Sequence, residues 1–405
     1  MKAIQKARAS AMKIEACVAS RFASRCSIRN AVGEPAAGEE ARFGETVYTL
    51  LRGVRRAARN TFLCREIVVD LTPDLWYFVE VPGISDLAPT SPMPSFFLAG
   101  APKAGTTALY RYLDQHPRIY MSPIKEPNFF ADEFRLENFG EHFRKIAELR
   151  LPAQAEYLQG PVAEKFSGGP VSEWADYLKL FQGARQETAI GEASVCYLWS
   201  ESAPRNIAAR FPDAKILMVL RNPIERAFSQ YAHMLSFADS PVTFREYVDA
   251  AIHSGSTRIS ELYPFLKFGL YHEQLERYFS LFDRGQIQIH FYENFTRDPA
   301  SVLSDIFRFL SVDADFAPDM SDRHMEAAVP RSFFLKKAIK QLAVWDTVRD
   351  LLPKALRTHL RSLVFQPRGA LKMSPADRAF LAEYYRDDTT SLSKLLQRDL
   401  SHWLA

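Results

Sequence analysis

The segment PSFFLAGAPKAGTTALY, residues 94–110, predicts a buried strand, a glycine-rich loop and the start of a helix. This order directs backbone N–H groups and a helix N-terminus at one point in space. Such a point binds an anion, most often a phosphate. Gly100 and Gly105 also have the Gly-x4-Gly spacing of a Walker A loop, the phosphate loop of nucleotide triphosphatases.

The loop departs from a Walker A loop after its second glycine. A nucleotide triphosphatase has a lysine there that reaches the β- and γ-phosphates, followed by a serine or threonine that holds Mg²⁺. Here Thr106 and Thr107 follow Gly105, and the lysine lies inside the loop as Lys103. The segment therefore predicts a cradle for one phosphate, without the usual equipment for a magnesium-bound triphosphate.

A second anion-binding element follows the run KILMVL, residues 215–220, which is typical of a central parallel strand. Arg221 comes directly after this run, where the Walker B strand of a triphosphatase has a metal-binding aspartate, and Pro223 and Glu225 favour a helix start. A phosphate cradle on one strand and a guanidinium on another suit a nucleotide with two separate phosphate groups and no metal.

Strand and helix patterns alternate from Ser95 onward, which predicts an α/β fold: a P-loop-like three-layer fold with a central parallel sheet and helices on both faces. Ligands of such sheets bind beyond the carboxyl ends of the strands, where both anion-binding elements lie. The predicted strands are 95–99, 118–121, 188–191, 215–220 and 286–291, and the predicted helices are 106–115, 203–210, 225–237, 243–253, 270–282, 300–310 and 376–396.

The composition excludes several classes of protein. The chain has 405 residues, and its net charge of +3 gives no support for nucleic-acid binding. No apolar run approaches the roughly 18 residues that span a bilayer, so no transmembrane segment is expected. The cysteines form no C-x-x-C pair, so no zinc or redox site is expected, and their sparse use fits a reducing compartment; they are Cys17, Cys26, Cys64 and Cys196.

We predict three regions along the chain. Residues 1–45 are predicted to be a disordered tail, residues 46–93 a small N-terminal segment of unassigned role plus a linker, and residues 94–405 one domain. Within the second region, residues 66–70 and 75–80 are predicted strands, a basic helix-like stretch begins at Tyr48, and residues 82–94 have the composition of a linker.

Three motifs resemble one known family. PKAGTT, residues 102–107, resembles the 5′-phosphosulfate loop of the sulfotransferases that use 3′-phosphoadenosine 5′-phosphosulfate (PAPS). RNPIERAFSQY, residues 221–231, resembles their 3′-phosphate motif, and KEPNFF, residues 125–130, resembles the segment that carries the catalytic base in the heparan-sulfate and bacterial branch. The resemblance runs from about Ser95 to the C-terminus.

The resemblance implies a function and a cellular location. It implies transfer of a sulfuryl group from PAPS as co-substrate, without a metal, to a hydroxyl or amine of an acceptor such as a carbohydrate or another hydroxylated metabolite. Golgi sulfotransferases carry an N-terminal membrane anchor, and this sequence shows no apolar anchor, so a cytoplasmic, bacterial enzyme is expected.

The resemblance also assigns roles to residues. Glu126 is expected to be the general base, and Lys103 the catalytic cation that meets both the 5′-phosphate and the sulfonate. Thr106 and Thr107 are expected to cap the helix as well. The residues expected to bind the nucleotide are Lys103, Ala104, Gly105, Thr106, Thr107, Arg221, Ser229, Arg331 and Ser332, the last two on a late basic loop.

Several alternatives stay open at the level of the sequence. His116 and His142 are rival bases, because another branch of the family uses histidine, and Arg226 is expected in a salt bridge. Heparan-sulfate enzymes carry a second catalytic lysine at the position of Ala193, so either Lys125 or another cation replaces it, or the acceptor chemistry differs.

Two other functions compete with sulfuryl transfer: a P-loop kinase of small molecules and a non-catalytic nucleotide-binding module. The acceptor itself is not encoded in any motif. Residues 131–185 are the candidate acceptor region, because they contain many aromatic and charged side chains, among them Phe134, Arg135, His142, Arg144 and Trp174.

Overall fold

The computed structural model describes residues 66–72, 75–80, 92–238, 240–260, 263–321, 328–333, 365–367 and 371–405. The predicted tail at residues 1–45, the stretch that begins at Tyr48 and most of the predicted linker at 82–94 lie outside the described residues. The chain divides into two units, residues 1–88 and 89–405. In the first unit, strands β1 (Glu66–Thr72) and β2 (Leu75–Glu80) pair antiparallel, at the positions predicted for strands.

The second unit contains a five-stranded parallel sheet, as predicted. Its strands are β3 (Phe96–Leu98), β4 (Ile119–Met121), β5 (Ala189–Ala193), β6 (Lys215–Leu220) and β7 (Ile287–Phe291). They lie in the order β4-β5-β3-β6-β7. Two further short strands, β8 (Ala328–Pro330) and β9 (Phe365–Pro367), pair antiparallel with each other.

Helices flank the parallel sheet, so the predicted α/β fold is confirmed. The α-helices among the described residues are α1 (Thr106–Asp114), α2 (Glu141–Gln159), α3 (Trp174–Lys179), α4 (Cys196–Trp199), α5 (Ala203–Arg210), α6 (Pro223–Phe237), α7 (Phe244–His253), α8 (Tyr271–Phe279), α9 (Tyr292–Arg297), α10 (Pro299–Leu310) and α11 (Pro375–Leu396). None of these helices is long and apolar enough to cross a membrane.

The central strands are apolar because both of their faces are covered. All three residues of β3 are fully buried, and β6 is buried from Ile216 to Leu220. Strands that are buried on both faces have continuous apolar runs rather than an alternating pattern. The apolar run from which β6 was predicted is therefore explained by the position of this strand beside β3.

The strand order creates a crevice between β3 and β6. The chain leaves β3 towards β4 on one side of the sheet and leaves β6 towards β7 on the other side. Connections that leave neighbouring strands in opposite directions open a crevice at the carboxyl ends of these strands, which is where ligands bind in open α/β sheets. The glycine-rich loop follows β3 and Arg221 follows β6, so both flank this crevice.

Helices α2, α3, α4 and α9 were not predicted from the sequence. The longest, α2, contains Pro152 in its interior and exposes the apolar residues Ile146 and Leu149. An interior proline and apolar residues on the solvent side both break the period of an amphipathic helix. The formation of α2 therefore depends on its position in the tertiary structure rather than on a regular apolar stripe in the sequence.

Candidate functional site

The glycine-rich loop connects β3 to α1 with a tight backbone. Gly105 has a φ of 81° and Lys103 a φ of 67°, so both are in the left-handed region. A Cβ atom on Gly100 would lie 2.7 Å from Cγ2 of Thr106 and 3.1 Å from the backbone nitrogen of Val219. The loop therefore requires glycine at position 100 for close packing against β6 and at position 105 for its backbone conformation.

The start of α1 differs from the expectation for the two threonines. The N-cap residue is Gly105, and Thr106 and Thr107 are the first two residues inside the helix, so the prediction that they cap it was wrong. Because Gly105 has no side chain, no side chain at the N-cap accepts from the first N–H groups of the helix. These groups and the positive end of the helix dipole suit an anion, which is the role predicted for residues 103–107.

Arg221 joins the two anion-binding elements directly. Its Nη1 donates a hydrogen bond of 2.7 Å to the backbone carbonyl of Lys103, and its guanidinium lies 4.4 Å from the ring centre of Tyr292. The residue is only 8% exposed. Burial lowers the pKa of Arg221, an effect that the carboxylates of Glu225 and Glu293 oppose. The structure thus brings the predicted 5′- and 3′-phosphate motifs into contact.

Asn222 fixes the start of α6. Its Oδ1 accepts hydrogen bonds from the amides of Ile224 and Glu225, at 2.9 and 3.3 Å, so it is the N-cap of the helix. Its Nδ2 donates to the carbonyl of Trp403 at 3.1 Å, and its own amide donates to Oε1 of Glu293 at 2.9 Å. The C-terminal segment therefore helps to orient the backbone that follows β6.

Ser229 and Arg226 are both buried in α6. Ser229 is 2% exposed, two turns into the helix. Arg226 is fully buried; its Nη2 donates to the carbonyl of Phe265 at 2.6 Å and its Nη1 to Oε1 of Gln230 at 2.5 Å. Within the described part of the chain Arg226 has no ion pair, so the expected salt bridge is replaced by neutral acceptors.

Glu126 lies on the loop after β4, at the same edge of the sheet. Its amide donates to the carbonyl of Ala193 at 2.8 Å, and its Oε2 accepts from the amide of Val195 at 2.8 Å. Its Oε1 pairs with Nζ of Lys125. The side chain of Glu126 is 30% exposed, so the carboxylate is held in place and still open to a substrate.

The two rival histidines have different environments. His116 is buried between the rings of Phe307 and Phe316, both 4.8 Å away between ring centres. Its two ring nitrogens are engaged, Nε2 with the carbonyl of Asp313 at 3.0 Å and Nδ1 with the amide of Arg118 at 3.0 Å. His116 is therefore a core residue. His142 is exposed in the first turn of α2.

His233 is near the site and was not singled out from the sequence. It lies one turn after Ser229 on α6 and is half-buried. Burial, and then the charge of Lys103, lower the pKa of His233 to about 4. Its imidazole is accordingly neutral at physiological pH. The i, i+4 spacing from Ser229 places both residues on one face of the helix, which is the signal that could have identified it.

Glu192 is a second residue that the sequence reasoning did not place in the site. It is fully buried at the penultimate position of β5, and burial raises its pKa to about 7. Its carboxylate accepts from the hydroxyls of Ser194, Tyr177 and Tyr197, at 2.6, 2.6 and 3.1 Å. A buried carboxylate beside a candidate catalytic segment is a frequent mark of a functional site.

Arg331 and Ser332 follow β8. Val329 of this strand belongs to the buried apolar cluster that includes Ile224, Ala227 and Phe228 of α6. Arg331 is exposed and Ser332 half-buried. Their role in closing over the nucleotide stays a prediction.

Trp174, one of the aromatic residues of the candidate acceptor region, packs against the segment that carries Glu126. Its ring lies 5.5 Å from those of both Phe129 and Tyr177, and Arg210 lies 5.1 Å from its centre. Trp174 is thus part of the aromatic packing around the segment that carries Glu126. Among the residues that the structure describes, no group of three or more His, Cys, Asp or Glu side chains is placed to hold a metal ion.

Comparison with known proteins gives consistent matches. Residues 94–316 match the model described as the sulfotransferase family. The mouse bifunctional heparan sulfate N-deacetylase/N-sulfotransferase 4 is 28% identical over 324 residues, and its human relative, N-deacetylase/N-sulfotransferase 1, is 29% identical over 320 residues. Both alignments cover 77% of this chain but only 31% of the relative, so this chain spans about a third of their length.

One solved structure is similar over most of the chain. A sulfotransferase from Alicyclobacillus acidocaldarius superposes with a TM-score of 0.56 at 29% sequence identity. The match covers 78% of this chain and 100% of that one.

Proposed function

Because the chain belongs to the sulfotransferase family, we propose that it transfers a sulfuryl group from PAPS to a hydroxyl or amine of an acceptor, a carbohydrate or another hydroxylated metabolite. The observation that carries the proposal is the hydrogen bond between Arg221 and the carbonyl of Lys103. It joins two cationic elements on neighbouring strands at the crevice where ligands of this fold bind.

The residues at this crevice fit the two phosphate groups of the donor. The start of α1 and the loop before it offer backbone N–H groups and the ammonium of Lys103 to the 5′-phosphosulfate. Arg221 and Ser229 are proposed to hold the 3′-phosphate, because a guanidinium binds phosphate bidentately. A Walker-type kinase site needs a lysine after the second glycine and a metal-binding carboxylate at the strand end; Thr106 and Arg221 occupy these positions.

The proposed chemistry assigns each group one task. An acceptor oxygen or nitrogen forms a bond to sulfur while the bond from sulfur to the bridging oxygen of the 5′-phosphate breaks, which leaves adenosine 3′,5′-bisphosphate. Glu126 removes the proton of the acceptor. Lys103 neutralises charge that develops on the bridging and sulfonate oxygens, and such a fixed cation lowers the barrier without reorganisation.

The relatives favour a sugar acceptor. The matched relatives are named for N-sulfotransfer to heparan sulfate, a carbohydrate. Within the part of the chain that these alignments cover, a carbohydrate amine or hydroxyl is therefore the proposed acceptor class.

The test is transfer of labelled sulfate from PAPS to a library of hydroxylated and aminated acceptors, read by mass spectrometry. Sulfated products that need both the chain and PAPS support the proposal. Phosphorylated products from ATP and Mg²⁺ support a kinase instead. Tight binding of adenosine 3′,5′-bisphosphate without any transfer across the library, and with no loss of PAPS by hydrolysis, supports a non-catalytic nucleotide-binding module.

A further inference from the structure

The buried carboxylate of Glu192 is surrounded by hydroxyl groups. Its Oε1 accepts from Ser194 at 2.6 Å, and its Oε2 accepts from Tyr177 at 2.6 Å and from Tyr197 at 3.1 Å. Glu192 itself is fully buried. The reaction proposed above gives this carboxylate no task.

Two of these hydroxyls also bind the segment that carries Glu126. The amide of Asn128 donates to Oγ of Ser194 at 3.1 Å, and the amide of Phe130 donates to the hydroxyl of Tyr197 at 3.3 Å. A backbone amide can only donate, so each hydroxyl oxygen must accept from it and turn its own hydrogen elsewhere. Glu192 is the acceptor of both hydrogens.

The segment that is held in this way has an unfavourable backbone. Glu126 has a φ of 66° and Asn128 a φ of 54°, values in the left-handed region that residues other than glycine rarely adopt. Such a conformation persists only where the surroundings enforce it. Here the surroundings are residues 193–197, which follow Glu192 in the chain. Each of these five residues forms a hydrogen bond with residue 126, 128 or 130.

We propose that Glu192 is a positioning residue for the catalytic segment: its carboxylate orients the hydroxyls of Ser194 and Tyr197 so that they hold the amides of Asn128 and Phe130, and thereby keeps Glu126 in its left-handed conformation facing the crevice. The proposal rests on the proposed function in one respect, because it takes Glu126 as the base.

Hydrogen exchange resolved to single amides tests the positioning role without any activity assay. In Glu192→Gln one carboxylate oxygen is replaced by an NH2 group, which can only donate, so either Ser194 or Tyr197 loses the acceptor of its hydrogen. At least one of the amides of Asn128 and Phe130 is therefore expected to exchange about tenfold faster than in the wild type. The third hydroxyl provides a matched control: Tyr177→Phe removes a donor to Glu192 that holds no amide of the segment, and should leave both rates unchanged. Unchanged rates in Glu192→Gln would overturn the proposal.

Two further variants keep the test decisive if Glu192→Gln does not fold. Ser194→Ala should accelerate exchange of the amide of Asn128 alone, and Tyr197→Phe that of Phe130 alone. Acceleration that spreads evenly over the whole domain, rather than to the one amide, would show general loss of stability and would count against a specific relay.

Kinetics give the second readout. In Glu192→Gln, kcat for sulfate transfer is expected to fall by about a hundredfold, the effect of a displaced reacting group. The affinity for adenosine 3′,5′-bisphosphate should stay the same, because the nucleotide is held by other elements. Equal losses of kcat and affinity would indicate a merely structural role. A wild-type chain without any transfer would refute the proposed function, while the exchange rates would still decide the role of Glu192.

Discussion

The carbonyl oxygen of Ala193 accepts a hydrogen bond of 2.8 Å from the amide of Glu126. Ala193 is the last residue of β5, so this bond attaches the segment of Glu126 to the carboxyl edge of the sheet. Ala193 is buried and its methyl group carries no charge, although the family resemblance implies a catalytic lysine at this position. A cation that does contact Glu126 is Lys125, which pairs with its Oε1.

Lys125 is therefore expected to contribute the charge that Ala193 lacks. Lys125→Met keeps most of the side-chain volume and removes the charge, and we expect turnover to fall by roughly 10²-fold, as on loss of one fixed donor to a transition state. Bisphosphate affinity should not change. Lys145→Met on the exposed face of α2 is the matched control, since Lys145 forms an exposed pair with Glu141 one turn away on the same helix. Wild-type turnover in Lys125→Met would show that the ion pair between Lys125 and Glu126 has only a structural role.

Adenosine 3′,5′-bisphosphate is expected to stabilise the fold, and ATP with Mg²⁺ to do so far less. Arg221 and Ser229 are proposed to hold a 3′-phosphate, which ATP does not have. At a concentration a hundred times the Kd, the gain in the free energy of unfolding is about 2.7 kcal/mol. Thermal unfolding with each ligand measures it. Equal shifts of Tm with both ligands would argue against a 3′-phosphate site.

Replacement of Arg221 by alanine should weaken bisphosphate binding by roughly 1.5–3 kcal/mol, the worth of a hydrogen bond to a charged group. Isothermal titration calorimetry gives the affinity. The control is Arg245→Ala, which removes an exposed arginine that pairs with Asp249 on α7. An unchanged affinity in Arg221→Ala, with the fold intact, would make Arg221 a structural link to Lys103 and nothing more.

Glu192 gives a pH dependence with a definite sign. The pKa of Glu192 is raised from 4.5 to about 7 in the folded chain. Burial is the main cause and the charge of Glu126 adds to it, while the hydrogen bonds from the three hydroxyls partly oppose the shift. The other titratable groups that interact with it are Tyr177, Tyr197, Tyr278 and Cys196. The folded state thus binds more protons than the unfolded state between pH 4.5 and 7. The contribution of Glu192 is fully present below pH 4.5 and is lost as the pH rises through 7.

Comparison of the wild type with Glu192→Gln isolates this contribution. His233, whose pKa is lowered to about 4, acts in the opposite direction between pH 4 and 6.5, so the wild-type curve alone has no predicted slope. Urea denaturation of the wild type and of Glu192→Gln between pH 5 and 8 should show the wild type losing stability relative to the variant, by up to about 1 kcal/mol per pH unit. A stability difference that is constant with pH would mean that Glu192 does not titrate in this range.

Strands were predicted well where burial leaves a continuous apolar run. The prediction for β6 has the same bounds as the structure, and that for β3 differs by one residue at each end. Helix α2 was missed because Pro152 and the exposed Leu149 hide its period. A sequence pattern reports burial on one face, and it fails where a helix buries few side chains.

Candidate site residues could be identified from the sequence where a residue type is unusual at its position. Lys103 and Arg221 stand out because a lysine in a glycine loop and an arginine at a strand end both departed from the Walker pattern. Glu192 did not stand out, although Ser194 and Tyr197 follow it within five residues, because the segment that these two hydroxyls hold, residues 128–130, comes from another part of the chain. A network formed by distant segments leaves no spacing in the sequence.

Glu126→Gln tests the assignment of Glu126 as the general base. Glu126→Gln keeps the shape of the side chain and an oxygen that can accept from the amide of Val195, as Oε2 does now at 2.8 Å. The amide group cannot take up the proton of the acceptor. Single-turnover transfer from labelled PAPS should therefore fall by about 10²–10⁴, the usual contribution of a positioned general base. Bisphosphate affinity should remain at the wild-type value, because the nucleotide is proposed to be held by the loop after β3 and by Arg221.

Lys103→Ala is the comparison that separates the base from the cation. The ammonium of Lys103 is proposed to meet the phosphosulfate in the ground state and the developing charge in the transition state, so its loss should reduce both affinity and turnover. The two variants thus differ in whether binding falls together with rate. Near wild-type transfer by Glu126→Gln would remove Glu126 as the base. His142, exposed at the start of α2, would then be the next candidate, because both ring nitrogens of His116 are engaged in the core.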